Sequence, residues 1–138
     1  MATAWLDPDD RELLSLWWLV EAGHLTRSEL VAASGLDPHH VTVRIARMKA
    51  QLEISRAVVR ALCAVPICLE LSELAMHWHG RPEALWRKRF ARHTRQCPTC
   101  ASLATDFVPA ERLLVRLPLI PVPFGLAAAA LAIGLTGG

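Results

Sequence analysis

His93-Thr-Arg-Gln-Cys97-Pro-Thr-Cys100 constrains this chain more than any other stretch, because it sets an imidazole and two thiols within two helical turns. A further cysteine, Cys68, lies 25 residues upstream of His93 on a separate predicted helix. Three sulfurs and one imidazole suit a closed tetrahedral zinc site, with four protein ligands and no open position for chemistry. The expected metal set is therefore Cys68, His93, Cys97 and Cys100, holding a structural Zn2+. Two other readings of the same residues stand beside it. Reduced cysteines also serve as small core hydrophobes. A CxxC can also be a thioredoxin-like redox pair, but that motif follows a strand, whereas a basic helical stretch precedes this one. Cys63, inside an apolar run, is expected in the core. It could also replace Cys68 as ligand or pair with it on oxidation. His77 and His79 are rival ligands, or surface groups near a helix end.

A chain of 138 residues is one domain or two very small ones. A domain of about 50 residues is marginal without a staple, and a structural metal supplies one. The four cysteines form no evenly spaced secreted framework, and residues 1–10 lack a basic start followed by an apolar run. A reducing cytoplasm fits best. No glycine-rich phosphate loop or GxSxG elbow occurs. His77, His79 and Glu73 form no nucleophile–base pair, so an enzyme and a small-molecule substrate are not expected.

Every segment reads helical, and the expected fold class is all-α. Asp7 and Pro8 signpost a first helix, whose apolar stripe is Leu13, Leu14, Trp17, Trp18 and Val20, with Gly23 as the stop. Thr26-Arg-Ser-Glu29 is a capping box. It opens a second helix carrying Leu30, Val31 and Ala33, which stops at Ser34-Gly35. Asp37-Pro38 opens a third, with Val41, Ile45, Met48 and Leu52 on one face. Two helices joined by a tight glycine turn, with Leu36 plugging the corner, make a helix-turn-helix. The second of the pair enters the major groove in such motifs. Its solvent face would carry His39, His40, Val43 and Arg47, flanked by Thr42 and Arg44. The alternative is a plain three-helix bundle with a polar outer face. Residues 1–60 carry seven Lys/Arg against eight Asp/Glu, so this half lacks the basic excess that phosphate binding favours.

Residues 54–64 continue the third helix or begin another at Ser55, with Ala57, Val58, Ala61 and Leu62 buried. Pro66 is expected to open a helix through Cys68, Leu69, Leu71, Leu74 and Ala75 to Gly80, and Pro82 one through Leu85, Trp86, Phe90 and His93. That helix should break at Cys97-Pro98, and another should run from Pro98 to about Val108. Trp86 and Phe90, one turn apart, read as core. Five bases fall within residues 86–95. They form a solvated face, or a surface for an acidic partner or nucleic acid. The apolar, proline-interrupted stretch Leu113–Pro123 precedes an uncharged run of 12 residues, Phe124–Leu135. About 20 are needed to cross a bilayer, so a membrane tether would require a longer chain. The expected organisation is 1–54, 55–110 and an apolar tail at 111–138.

Residues 6–54 resemble region 4 of the extracytoplasmic-function class of bacterial sigma factors. The likeness rests on Asp10-Arg11-Glu12-Leu13-Leu14, Thr26-Arg-Ser-Glu-Leu30 and Gly35-Leu36-Asp37-Pro-His-His-Val41-Thr-Val-Arg-Ile-Ala-Arg47. Residues 66–108 resemble the zinc-binding anti-sigma domain, in which an upstream Cys or His joins HxxxCxxC. The first resemblance implies contact with a promoter −35 element and with RNA polymerase. The second implies a small helical clamp on a sigma factor. Nothing corresponds to sigma region 2, so a complete sigma factor is not expected. Together they imply a transcription regulator of the sigma-70 type, with its helix-turn-helix controlled in cis by the zinc domain. The alternative is an anti-sigma-like adaptor that binds protein and never touches DNA.

Overall fold

The computed structural model describes residues 2–104. The expected apolar tail at 111–138 lies outside the described residues. Among these residues the chain is all-helical, with six α-helices, a short 3-10 turn at Ala2–Trp5 and no strand. None of the helices is long and apolar enough to cross a membrane. The described residues group into two compact units, one of residues 8–48 and one of residues 2–7 and 49–104.

In the first unit α1 (Pro8–Glu21), α2 (Arg27–Ser34) and the start of α3 (Pro38–Leu62) surround an apolar cluster. Leu13, Trp17, Leu30, Val41, Ile45 and Met48 form it, and Leu14, Val20, Val31 and Leu36 pack against it. The 3.6-residue period sends Val41, Ile45 and Met48 to one side of α3. Trp18, expected in the stripe, is 43% exposed; it follows the fully seated Trp17 and so points about 100° away around the helix. Both ends of α2 are fixed locally. Thr26 Oγ1 accepts from the Glu29 N–H, and Glu29 Oε1 accepts from the Thr26 N–H, each at 3.1 Å. Gly35 then adopts the left-handed conformation (φ 70°) that turns the chain toward α3.

Helix α3 does not restart at Ser55. The Ser55 hydroxyl donates back to the Gln51 carbonyl at 2.8 Å, so it serves the helix it sits in instead of capping a new one. The remaining helices are α4 (Leu69–Ala75), α5 (Ala84–Gln96) and α6 (Pro98–Ser102). The core of the second unit is aromatic. Phe90, fully buried, meets Trp5, Trp78 and Trp86 with ring centroids 5.9, 5.3 and 5.4 Å away. Val58, Ala61, Leu71, Ala91 and Cys100 complete it.

Four expected boundaries shift. Helix α5 begins at Ala84, not Pro82, because Glu83 is extended (φ −107°, ψ 153°) and stands at its N-cap. Helix α4 begins at Leu69, not Pro66, because Cys68 is extended (φ −55°, ψ 130°) and stands at its N-cap. It ends at Ala75, not Gly80. The chain then tightens into turns in which His77 and Trp78 N–H groups bond Leu74 and Ala75 carbonyls. Trp78 thereby leaves the helix and packs on Trp5 and Phe90, while its indole N–H donates to the Arg81 carbonyl at 2.7 Å. Helix α6 ends at Ser102, short of Val108, where Leu103 and Ala104 N–H groups close three-residue turns on Cys100 and Ala101.

Candidate metal centre

Three local features bring four ligand atoms together. The last turn of α5 presents His93. Proline cannot continue that helix, so Cys97 is extended (φ −85°, ψ 119°) and Pro98 takes the first position of α6, which places Cys100 one turn on. The extended Cys68 at the start of α4 uses no side-chain cap bond, which leaves its sulfur for the cluster. The ligand atoms of Cys68, His93, Cys97 and Cys100 all lie within 4.8 Å of one another. Cys68 Sγ is 3.6 Å from His93 Nε2 and 3.8 Å from Cys97 Sγ, and Cys100 Sγ is 3.4 Å from His93 Nε2. These four side chains could hold a metal ion.

Two of the thiols are shifted in opposite directions. The Cys97 thiol is lowered from its ordinary value, chiefly by the Cys100 backbone N–H at the start of α6, with Cys68 assisting and burial opposing. The Cys100 thiol is pushed up to about 12, first by burial and then by the neighbouring sulfurs of Cys68 and Cys97. A dication among the sulfurs inverts that balance and favours thiolate.

The rival ligands fall elsewhere. His79 lies 3.4 Å from the Glu83 carboxylate on the surface, and His77 is exposed. Cys63, expected in the core, is exposed. It follows the last residue of α3 and lines an open hollow of about 500 Å³ with Cys68, Pro66, Thr99 and Leu103.

The expected reading residues cluster at the start of α3. His39, His40, Thr42 and Arg47 are exposed, and Val43 is 36% exposed. Three of the six are engaged within their own unit. Thr42 Oγ1 accepts from Arg27 Nη2 at 2.8 Å and donates to the Pro38 carbonyl at 3.1 Å. Arg44 lies 3.8 Å from Asp10. The His40 ring pairs with Asp37. The Asp37 carboxyl is held below its usual value, chiefly by the His40 backbone N–H that it caps, with burial opposing and the His40 charge assisting.

The sequence reading missed Arg87, taken with the basic run and in fact 5% exposed. Its Nη1 donates to the Trp5 carbonyl at 2.6 Å and lies 3.5 Å from Asp7. The signal was present. Arg87, Phe90, Ala91 and Thr94 fall at i, i+3, i+4 and i+7 and are all buried.

Comparison with protein-family models, with curated proteins and with solved structures finds no match to this chain.

Proposed function

We propose that this chain is a transcription regulator of the sigma-70 type, built from a helix-turn-helix and a zinc-stapled, anti-sigma-like unit. The observation that carries the reading is the α2–Gly35–α3 arrangement. A capped short helix and a left-handed glycine lead into a helix whose first turns leave His39, His40, Val43 and Arg47 in solvent. Such a helix start is the part that reaches base edges in a helix-turn-helix. Arg47 is the strongest candidate for a guanine or phosphate contact.

Zinc is the metal the cluster fits best. With Zn–S near 2.3 Å and Zn–N near 2.05 Å, a tetrahedral site has S···S edges of about 3.8 Å and S···N edges of about 3.6 Å. Three of the separations, 3.8, 3.6 and 3.4 Å, are close to those edges, and all four ligand atoms lie within 4.8 Å of one another. Four protein ligands fill the coordination sphere, so the metal's role is structural, and its loss should change how the helix-turn-helix is presented to promoter DNA or polymerase.

A second reading has its own support. Thr42 and Arg44 are already engaged, and residues 8–48 carry four Lys/Arg against six Asp/Glu. An adaptor that binds a sigma factor and never touches DNA would look like this. Equilibrium binding of the full chain to promoter duplexes and to scrambled duplexes separates the two. The leading reading expects preference for one promoter sequence, reduced by about 1–3 kcal/mol in Arg47→Ala, and a change in affinity on chelation. No sequence preference, with tight binding to a sigma factor, would establish the adaptor instead.

A further inference from the structure

Helix α5 has a second face that neither the core nor the metal uses. Lys88, Arg89, Arg92 and Arg95 are exposed along it, and the helix contains no Asp or Glu. Among the described residues, Lys88, Arg92 and Arg95 have no ion-pair partner. Glu83, at the N-cap of the helix, pairs with His79. Arg89 is held over the buried Trp86 ring, 4.9 Å from its centroid. From Lys88 to Arg95 the stripe spans about 10 Å at 1.5 Å per residue. That length of duplex axis carries about six phosphate charges.

We propose that the outer face of α5 is a duplex-DNA backbone surface that binds phosphates without regard to sequence. Three of the four cations are arginines, whose planar forks pair with phosphate and carboxylate oxygens alike. What separates DNA from an acidic protein is the lack of an anchor between them. Protein interfaces anchor on buried apolar or aromatic groups. The outer positions 88, 89, 92, 95 and 96 carry none; Leu85, 54% exposed, lies on the same face one turn before Lys88 and Arg89, outside the stripe. Single strands are bound by stacking on exposed aromatic rings. Trp86 is only 4% exposed and Phe90 is buried, so no ring is offered. Cations alone, in a row, fit a continuous phosphate backbone. The surface would supply the non-specific attraction that the acid-rich residues 8–48 lack, and it does not depend on α3 reading a sequence.

The test is the salt dependence of binding between the zinc-loaded full chain and a 30-base-pair duplex of random sequence. The variant Lys88→Gln/Arg92→Gln/Arg95→Gln spares Arg89 and its contact with Trp86. Wild type should show a steep fall of log K with log salt. The triple variant should lose roughly 2–3 units of that slope, at about 0.9 per phosphate contact, with helicity and zinc content unchanged. Arg92→Lys/Arg95→Lys should keep the slope, because charge is what it counts. Arg47→Ala, which tests sequence reading, should move it by no more than about one. An unchanged slope in the triple variant overturns the proposal. So does equal competition by polyglutamate of matched charge, which would assign the stripe to an acidic protein.

Discussion

Residues 8–48 and residues 49–104 are both helical, but they are held by different kinds of interaction. In the first unit each helix is delimited by groups beside it in the chain: Thr26 and Glu29 at one turn, Gly35 at the next, Asp37 before α3. In the second, α4 and α6 are seven and five residues long, too short to persist alone in water. The unit is held by partners far apart in sequence: Trp5 against Phe90 and Arg87 against the Trp5 carbonyl fix residues 2–7 on α5, and Cys68 at the start of α4 meets His93 and Cys97. Short-range rules describe one unit; a few long-range contacts around a four-ligand centre hold the other.

Metal removal probes that contrast most strongly. Because ligand binding and folding are coupled in small zinc units, chelation of the full chain, or Cys100→Ser, should abolish amide-exchange protection in α4, α5 and α6. Protection in α1 and α2 should persist. Loss of protection in both units together would show that the distinction between them is false.

The next effect belongs to Arg87. Replacing it with Met leaves the Trp5 carbonyl without its charged donor, at a cost of about 1.5–3 kcal/mol. Asp7, more than half exposed, should matter far less, and Asp7→Asn should cost under about 1 kcal/mol. Denaturant midpoints of the two variants rank the partners. If Asp7→Asn costs as much as Arg87→Met, the ion pair and not the carbonyl bond holds residues 2–7.

The last test concerns the locally built unit. A Cβ at Gly35 would meet nothing within 4 Å, so Gly35→Ala is opposed only by the left-handed backbone, at about 1–2 kcal/mol. Gly35→Asn should cost less, because Asn enters that region more readily. Thermal unfolding with equal losses for both would point to a steric cause that the structure does not contain.

The same contrast explains what could be read in advance. Caps, prolines and the Val41, Ile45, Met48 period are local, so α1 to α3 were legible, as was the break at Cys97-Pro98. The four ligands were legible because three lie within eight residues and a closed site needs a fourth. Trp78 and Cys63 were not, and the charge of Arg87 concealed a burial that its spacing to Phe90, Ala91 and Thr94 marks. The exit of Trp78 from α4 is decided by the Trp5–Phe90 cluster, which no local pattern announces. Cys63 follows an apolar run, but α3 ends at Leu62 and the following turn carries the thiol outward.

The aromatic cluster also makes the molecule legible to light. The chain has five tryptophans and no tyrosine. Trp17 and Trp18 belong to residues 8–48, while Trp5, Trp78 and Trp86 ring Phe90 in the unit with the Cys68–His93–Cys97–Cys100 cluster. Trp5 and Trp78, 5.5 Å apart and inclined by 30°, are close enough for their excited states to couple. Their near-ultraviolet dichroism therefore reports on whether residues 2–7 are seated, in the unmodified protein and with no label added.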